Sequence, residues 1–159
     1  MRYVECRSML GVVESVREAD HDHRHYQGIF MGLSNLVAYI VDDDLSIRRA
    51  LTRLLKSLGV GTVVFDSAEA FLQAGPWALE ACLILDVQMP GMKGWDLLEH
   101  LRAAGIALPV IIITAYNDAQ THDRAMQAGI VAYLQKPFDD QTLLEALRQA
   151  CEHRHRGSS

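Results

Sequence analysis

The sequence predicts an α/β domain built on a doubly wound, five-stranded parallel sheet. Between residues 36 and 152, five short apolar runs alternate with five segments of helical period. Alternation of that kind calls for right-handed crossovers and a parallel sheet covered on both faces. Four of the runs also end on polar residues: Tyr39-Ile40-Val41 on Asp42 and Asp43, Leu83-Ile84-Leu85 on Asp86, Val110-Ile111-Ile112-Ile113 on Thr114, and Tyr133-Leu134 just before Lys136. A buried parallel strand delivers a side chain to its carboxyl end in this way, and ligands of open parallel sheets gather there.

Each element has its own local signal. Leu36 to Val41 is an apolar strand that leads into Asp42-Asp43-Asp44, after which Ile47, Leu51, Leu54, Leu55 and Leu58 recur at helical spacing until Gly59. A second strand over Val60 to Phe65 precedes Ser67, which caps a short helix through Glu69-Ala70-Phe71-Leu72 that Gly75-Pro76 ends. The third unit is the strand Cys82 to Leu85 and a helix from about Gly94 to Gly105. The fourth is Val110 to Ile113 with a helix around Ala119 to Ala128, closed by Gly129. In the fifth, Val131 to Leu134 is followed by Leu143, Leu144, Leu147 and Ala150 on one helical face.

The ends are less informative. Residues 1–35 read as a poorly ordered extension, and the alternating His21, His23 and His25 read as solvated side chains rather than a metal chelate. Residues 153–159 read as a polar tail. The 159-residue length suits one domain, and a net charge of -5 argues against binding nucleic acid by charge. Cys6, Cys82 and Cys151 are widely spaced and odd in number, which suits a reducing compartment. No apolar run reaches the roughly 20 residues of a membrane span, and the first residues lack the basic segment leading into an apolar one that is expected of a secretory signal. A cytoplasmic protein is expected.

The decisive pattern is the joint spacing of the strand-end residues. Asp43 stands 43 positions before Asp86, Asp86 stands 28 before Thr114, and Thr114 stands 22 before Lys136. Met89-Pro90-Gly91 follows the central acid, and Lys136-Pro137-Phe138 follows the fifth strand. In these residues the chain resembles the receiver domain of two-component response regulators. The stretch Asp66-Ser67-Ala68-Glu69-Ala70-Phe71-Leu72 is similar to receivers of nitrogen-fixation-type transcriptional regulators. The resemblance covers residues 36–152 and implies a flavodoxin-like (βα)5 fold with strand order 2-1-3-4-5.

It also implies a site. Asp86 would be the phosphoacceptor, and Asp42, Asp43, Asp86 and the Gln88 carbonyl would hold Mg²⁺, a hard cation that takes oxygen ligands. Lys136 and Thr114 would meet the phosphoryl oxygens, Tyr133 would be the switch aromatic, and the Lys136-Pro137 bond would be cis. The implied partners are a sensor histidine kinase or phosphotransfer protein, then a downstream protein target or a second copy of the chain, with no membrane and no direct nucleic-acid contact. The implied catalysis is limited to the chain's own phosphorylation and dephosphorylation. Gln88 and Tyr116 stand where family members tune acyl-phosphate lifetime, and Lys93 replaces a small or acidic residue often seen near that turn.

Taken singly, these residues have ordinary readings: Asp44 caps a helix, Thr114 ends a strand, Tyr133 is a half-buried strand aromatic, and Lys136 is a solvated lysine. Two other functional readings compete. The chain is a receiver fragment of a DNA-binding transcriptional regulator, or it is a haloacid-dehalogenase-type phosphohydrolase with Asp42 of Asp42-x-Asp44 as nucleophile. The second leaves Asp86 without a part and needs Asp139-Asp140 for catalysis, where acids more naturally open the last helix.

Overall fold

The computed structural model describes residue 33 and residues 35–78, 80–115 and 118–157. The His21, His23 and His25 tract and Tyr116 lie outside the described residues. Five strands, β1 (Val37–Val41), β2 (Gly61–Phe65), β3 (Ala81–Asp86), β4 (Val110–Thr114) and β5 (Ala132–Gln135), form a parallel sheet in the order β2-β1-β3-β4-β5. Helices α1 (Leu45–Ser57), α2 (Ala68–Gln73), α3 (Gly94–Ala103), α4 (Ala119–Gln127) and α5 (Asp140–Gly157) follow the strands in turn. The expected doubly wound architecture and strand order are both present.

Caps set the helix starts, at Asp44 and Ser67 as the sequence suggests. Asp44 accepts from the Ser46 amide, Ser67 from the Ala70 amide and, unanticipated, Asp118 from the Thr121 amide, each filling an orphan donor of a first turn. Asp139 accepts from both the amide and the hydroxyl of Thr142, so the acidic pair does open α5. Gly59, at φ 77°, takes the left-handed conformation that stops α1.

Side chains alternate across each strand, so the sheet separates two cores. On one side Ile40, Ile84, Ile111 and Ile113 share a cluster with Leu51 and Leu55 of α1 and Leu143 and Leu147 of α5. On the other, Tyr39, Leu83, Leu85 and Ile112 join Phe71 of α2, Leu97 and Leu101 of α3 and Ala125 of α4. The β3 residues are all buried, as a central strand between two helical layers must be. At the surface, the Arg124 guanidinium of α4 lies 4.8 Å from the centre of the Trp95 ring of α3. Among the described residues, no helix is long and apolar enough to cross a membrane.

The boundaries differ from expectation at both ends. Leu33 is buried in the α1/α5 core, so the packed structure reaches into the stretch expected to be poorly ordered. The last helix runs to Gly157, past residue 152 where the apolar pattern stops. Once a helix is nucleated, each added residue gains a backbone hydrogen bond without needing an apolar partner.

Phe71 is fully buried among the rings of Tyr39, Phe65 and Trp77, with centroids 5.8, 5.5 and 4.7 Å away. Phe71→Ala is expected to cost about 3–5 kcal/mol, read as a lower urea midpoint at unchanged slope. A loss below about 1 kcal/mol would mean that this cluster collapses around the cavity.

Candidate functional site

Strand register builds the site. Val41 pairs with Leu85, so Asp42 and Asp86 follow at the same level on adjacent strands. Asp86 lies opposite Ile113, and Ile113 lies opposite Leu134. Lys136 comes two residues after Leu134, hence on the same side of the sheet as Asp86. Its main-chain N–H continues the ladder by donating to the Thr114 carbonyl at 2.7 Å.

The side chains then converge. The Lys136 ammonium donates to Asp42 Oδ2 at 2.8 Å and to Asp86 Oδ2 at 3.2 Å. Asp42 is wholly buried and Asp86 is 4% exposed. The exposed Asp43 joins them, and one carboxylate oxygen from each of the three lies within 4.8 Å of the others. The remaining oxygens of the buried pair are also engaged: Asp42 Oδ1 accepts the Asp44 amide at 2.9 Å, and Asp86 Oδ1 accepts the Gln88 amide at 2.9 Å.

These surroundings move the titrations. Burial pushes the Asp86 carboxyl above its ordinary value; the Gln88 amide pulls it down, the neighbouring Asp42 raises it, and Lys136 lowers it again. Burial alone would lower Lys136, but its bonds to the two carboxylates and their charge prevail, and its value is raised. Lys136 is therefore a cation throughout the physiological range.

The other expected site residues fall nearby. Thr114 is fully buried at the end of β4 and shares the parity of Ile112, the partner of Tyr133. Tyr133 is half-buried and meets the His122 ring edge-on at 5.4 Å; burial raises its hydroxyl, with Asp118 adding to the effect. Gln88 is exposed in the loop after β3, and the Lys136-Pro137 bond is cis. Lys93 folds back to donate to the Met89 carbonyl at 2.8 Å.

Two contributors were missed. Arg48 donates from Nη1 to the Asp42 carbonyl at 2.7 Å; its place one helical turn after the Asp44 cap was a usable signal. Glu69 accepts the Met92 amide at 2.9 Å from 23 residues away, which no local pattern announces.

A family model described as the response regulator receiver domain matches residues 38–148. The chain belongs to that family. Nodulation protein W of Bradyrhizobium diazoefficiens is 40% identical over 131 residues, which is 82% of this chain and 58% of that protein. The transcriptional regulatory protein FixJ of the same species is 40% identical over 116 residues, covering 70% and 57% of the two chains. This receiver thus spans a little over half the length of these curated relatives. A crystal structure of FixJ-N is similar with a TM-score of 0.70 at 37% identity, covering 75% of this chain and 95% of that one. The low-resolution structure of response regulator StyR gives a TM-score of 0.72 at 39% identity, covering 77% and 62%.

The raised Asp86 carboxyl has a consequence for the receiver's stability. Its native value lies above the unfolded one, so ionising it favours the unfolded chain. That penalty is absent in strong acid, sets in as pH rises through about the ordinary 3.8 and is complete above the native value. In chelator at pH 7, Asp86→Asn is expected to raise the melting temperature by a few degrees, the gain shrinking on acidification towards the ordinary carboxylate value. A lower melting temperature at pH 7 would mean that the bond to Lys136 outweighs burial.

Proposed function

We propose that this receiver takes a phosphoryl group onto Asp86 from a phosphohistidine of a sensor kinase or phosphotransfer protein, in a Mg²⁺-dependent reaction, and passes the signal on by a conformational switch. The observation that carries this reading is the Lys136 ammonium set between two buried carboxylates, with a third acid at the mouth.

The residues fit the cation. Three clustered carboxylates, two of them on the Lys136 ammonium, offer hard oxygen donors and carry an excess of negative charge. Asp42, Asp43 and Asp86 would hold Mg²⁺, with the Gln88 carbonyl completing the set. When bound, the ion supplies charge neutralisation for the acids and the transferred group.

The chain's own groups do the rest. An Asp86 carboxylate oxygen attacks phosphorus, the new O–P bond forms as the N–P bond of phosphohistidine breaks, and the electron pair leaves with the imidazole. Lys136 turns from the acids towards the phosphoryl oxygens and offsets their charge. Thr114 offers its hydroxyl to the same oxygens, and its displacement favours an inward position of Tyr133, which shares its parity on the next strand. The changed face then meets a downstream protein or a second copy of the chain. A cytoplasmic location fits a partner of this kind.

The phosphohydrolase reading has little left to use. Asp44 spends its carboxylate on the α1 cap and Asp139 on the first turn of α5. A second receiver reading has support, since FixJ, matched over 57% of its length, is a transcriptional regulatory protein. On it, the output is transcription through a DNA-binding segment, and the reading frame beyond Ser159 should encode a helix-turn-helix.

With acetyl phosphate and Mg²⁺, the wild type should take up one acid-stable, base-labile phosphoryl group and Asp86→Ala none. Lys136→Ala should slow uptake about 100-fold. Label that persists in Asp86→Ala would defeat the proposal. So would continuous phosphate release from a monoester that Asp42→Asn abolishes and Asp86→Asn spares.

A further inference from the structure

The loop from Val87 to Lys93 joins β3 to α3 and carries Gln88 beside Asp86. Several tethers hold it. Its first limb is tied by the Gln88 amide on Asp86 Oδ1 and by the Met89 side chain, which is 2% exposed in the core. Its middle is closed by the Lys93 ammonium on the Met89 carbonyl at 2.8 Å, and its end by the Lys93 amide on Asp96 Oδ2 at 3.2 Å. At the start of α3 there is no slack, because a Cβ on Gly94 would lie 2.7 Å from Val87 Cα and 2.8 Å from the Asp86 carbonyl oxygen.

The far limb is held from another element. Glu69, in the first turn of α2, accepts the Met92 amide at 2.9 Å. Its carboxylate lies over Gly91, where a Cβ would meet Glu69 Oε1 at 3.1 Å. Gly91 sits at φ +76°, so the chain reverses there with the carboxylate resting on the turn. An ionised acceptor gives a stronger bond than a neutral one, and this bond ties the first turn of α2 directly to the loop.

We propose that Glu69 is a positioning residue for the phosphoacceptor loop: by accepting the Met92 N–H it fixes the far limb of the loop whose first limb carries the Gln88 carbonyl next to Asp86. The inference rests on the reading of Asp86 and its neighbours as a Mg²⁺ site. Glu69 touches no reacting atom; it acts through the loop. Outer partners of metal ligands are worth about 10- to 100-fold in affinity, and an exposed one belongs at the low end.

The test titrates MgCl₂ alone into wild type, Glu69→Ala, Glu69→Gln and, as a charge control, Glu99→Ala, and follows exchange of the Met92 amide without metal. Glu69→Ala should weaken Mg²⁺ binding about tenfold and speed Met92 exchange. Glu69→Gln keeps an acceptor oxygen and should stay within about threefold of wild type. Glu99→Ala, which removes the same charge elsewhere, should match wild type. Wild-type affinity or unchanged Met92 exchange in Glu69→Ala would overturn the proposal. Equal weakening by Ala and Gln would also overturn it, by making charge rather than the bond responsible. If the wild type itself binds no Mg²⁺, the metal-site reading fails and this inference with it; wild-type binding with an indifferent Glu69→Ala sinks this inference alone.

Discussion

The site depends on one contact, the Lys136 ammonium between the Asp42 and Asp86 carboxylates. Two acids at the ends of adjacent buried strands repel each other and lose their water, and neither is easily ionised without a counter-charge. Lys136 provides it from the end of the edge strand β5, reaching back along the same side of the sheet. The bond therefore spans three inter-strand boundaries. The correct strand order and register are conditions for making it, which binds the chemistry of the mouth to the topology beneath.

The two cores divide the labour. The face covered by α1 and α5 is almost wholly aliphatic, whereas the face covered by α2, α3 and α4 contains Tyr39, Phe71 and the partly buried Trp77, Trp95 and Tyr133. Aliphatic burial there needs no polar partner. The aromatic face does have one, since the Tyr39 hydroxyl accepts the Ala78 amide at 2.9 Å and so ties down the segment before β3. Both layers hold the sheet rigid while the groups that carry charge sit at the strand ends and just beyond them, an arrangement that lets a site vary without disturbing its support.

How much of this was legible in the sequence follows from the range of each interaction. A run such as Leu83-Ile84-Leu85 that stops on Asp86 is a local pattern, and it located the strand and the buried acid at its end together. Asp44, Ser67 and Asp139 were legible as caps because their partners lie within a turn. The convergence of Asp42, Asp86 and Lys136 was legible only through the spacing of several strand ends at once. Arg48 needed a geometric step beyond the apolar pattern, and Glu69 could not be read at all, because its partner Met92 lies across an intervening strand. The extent of the last helix was misjudged for another reason: hydrophobic periodicity reports where a helix packs, and backbone hydrogen bonding continues past that point.

The absence of a side chain at Gly94 reaches further than local fit. The first turn of α3 rests directly on the main chain of Asp86 and Val87, and a soft methyl or methylene layer is missing between them. The helix is in effect a lever seated hard on its fulcrum. Trp95, the next residue, leans on Arg124 of α4. A small tilt at the tip of the central strand would not be cushioned but handed on, first to one helix and then, along the Trp95–Arg124 contact as well as the core they share, to its neighbour.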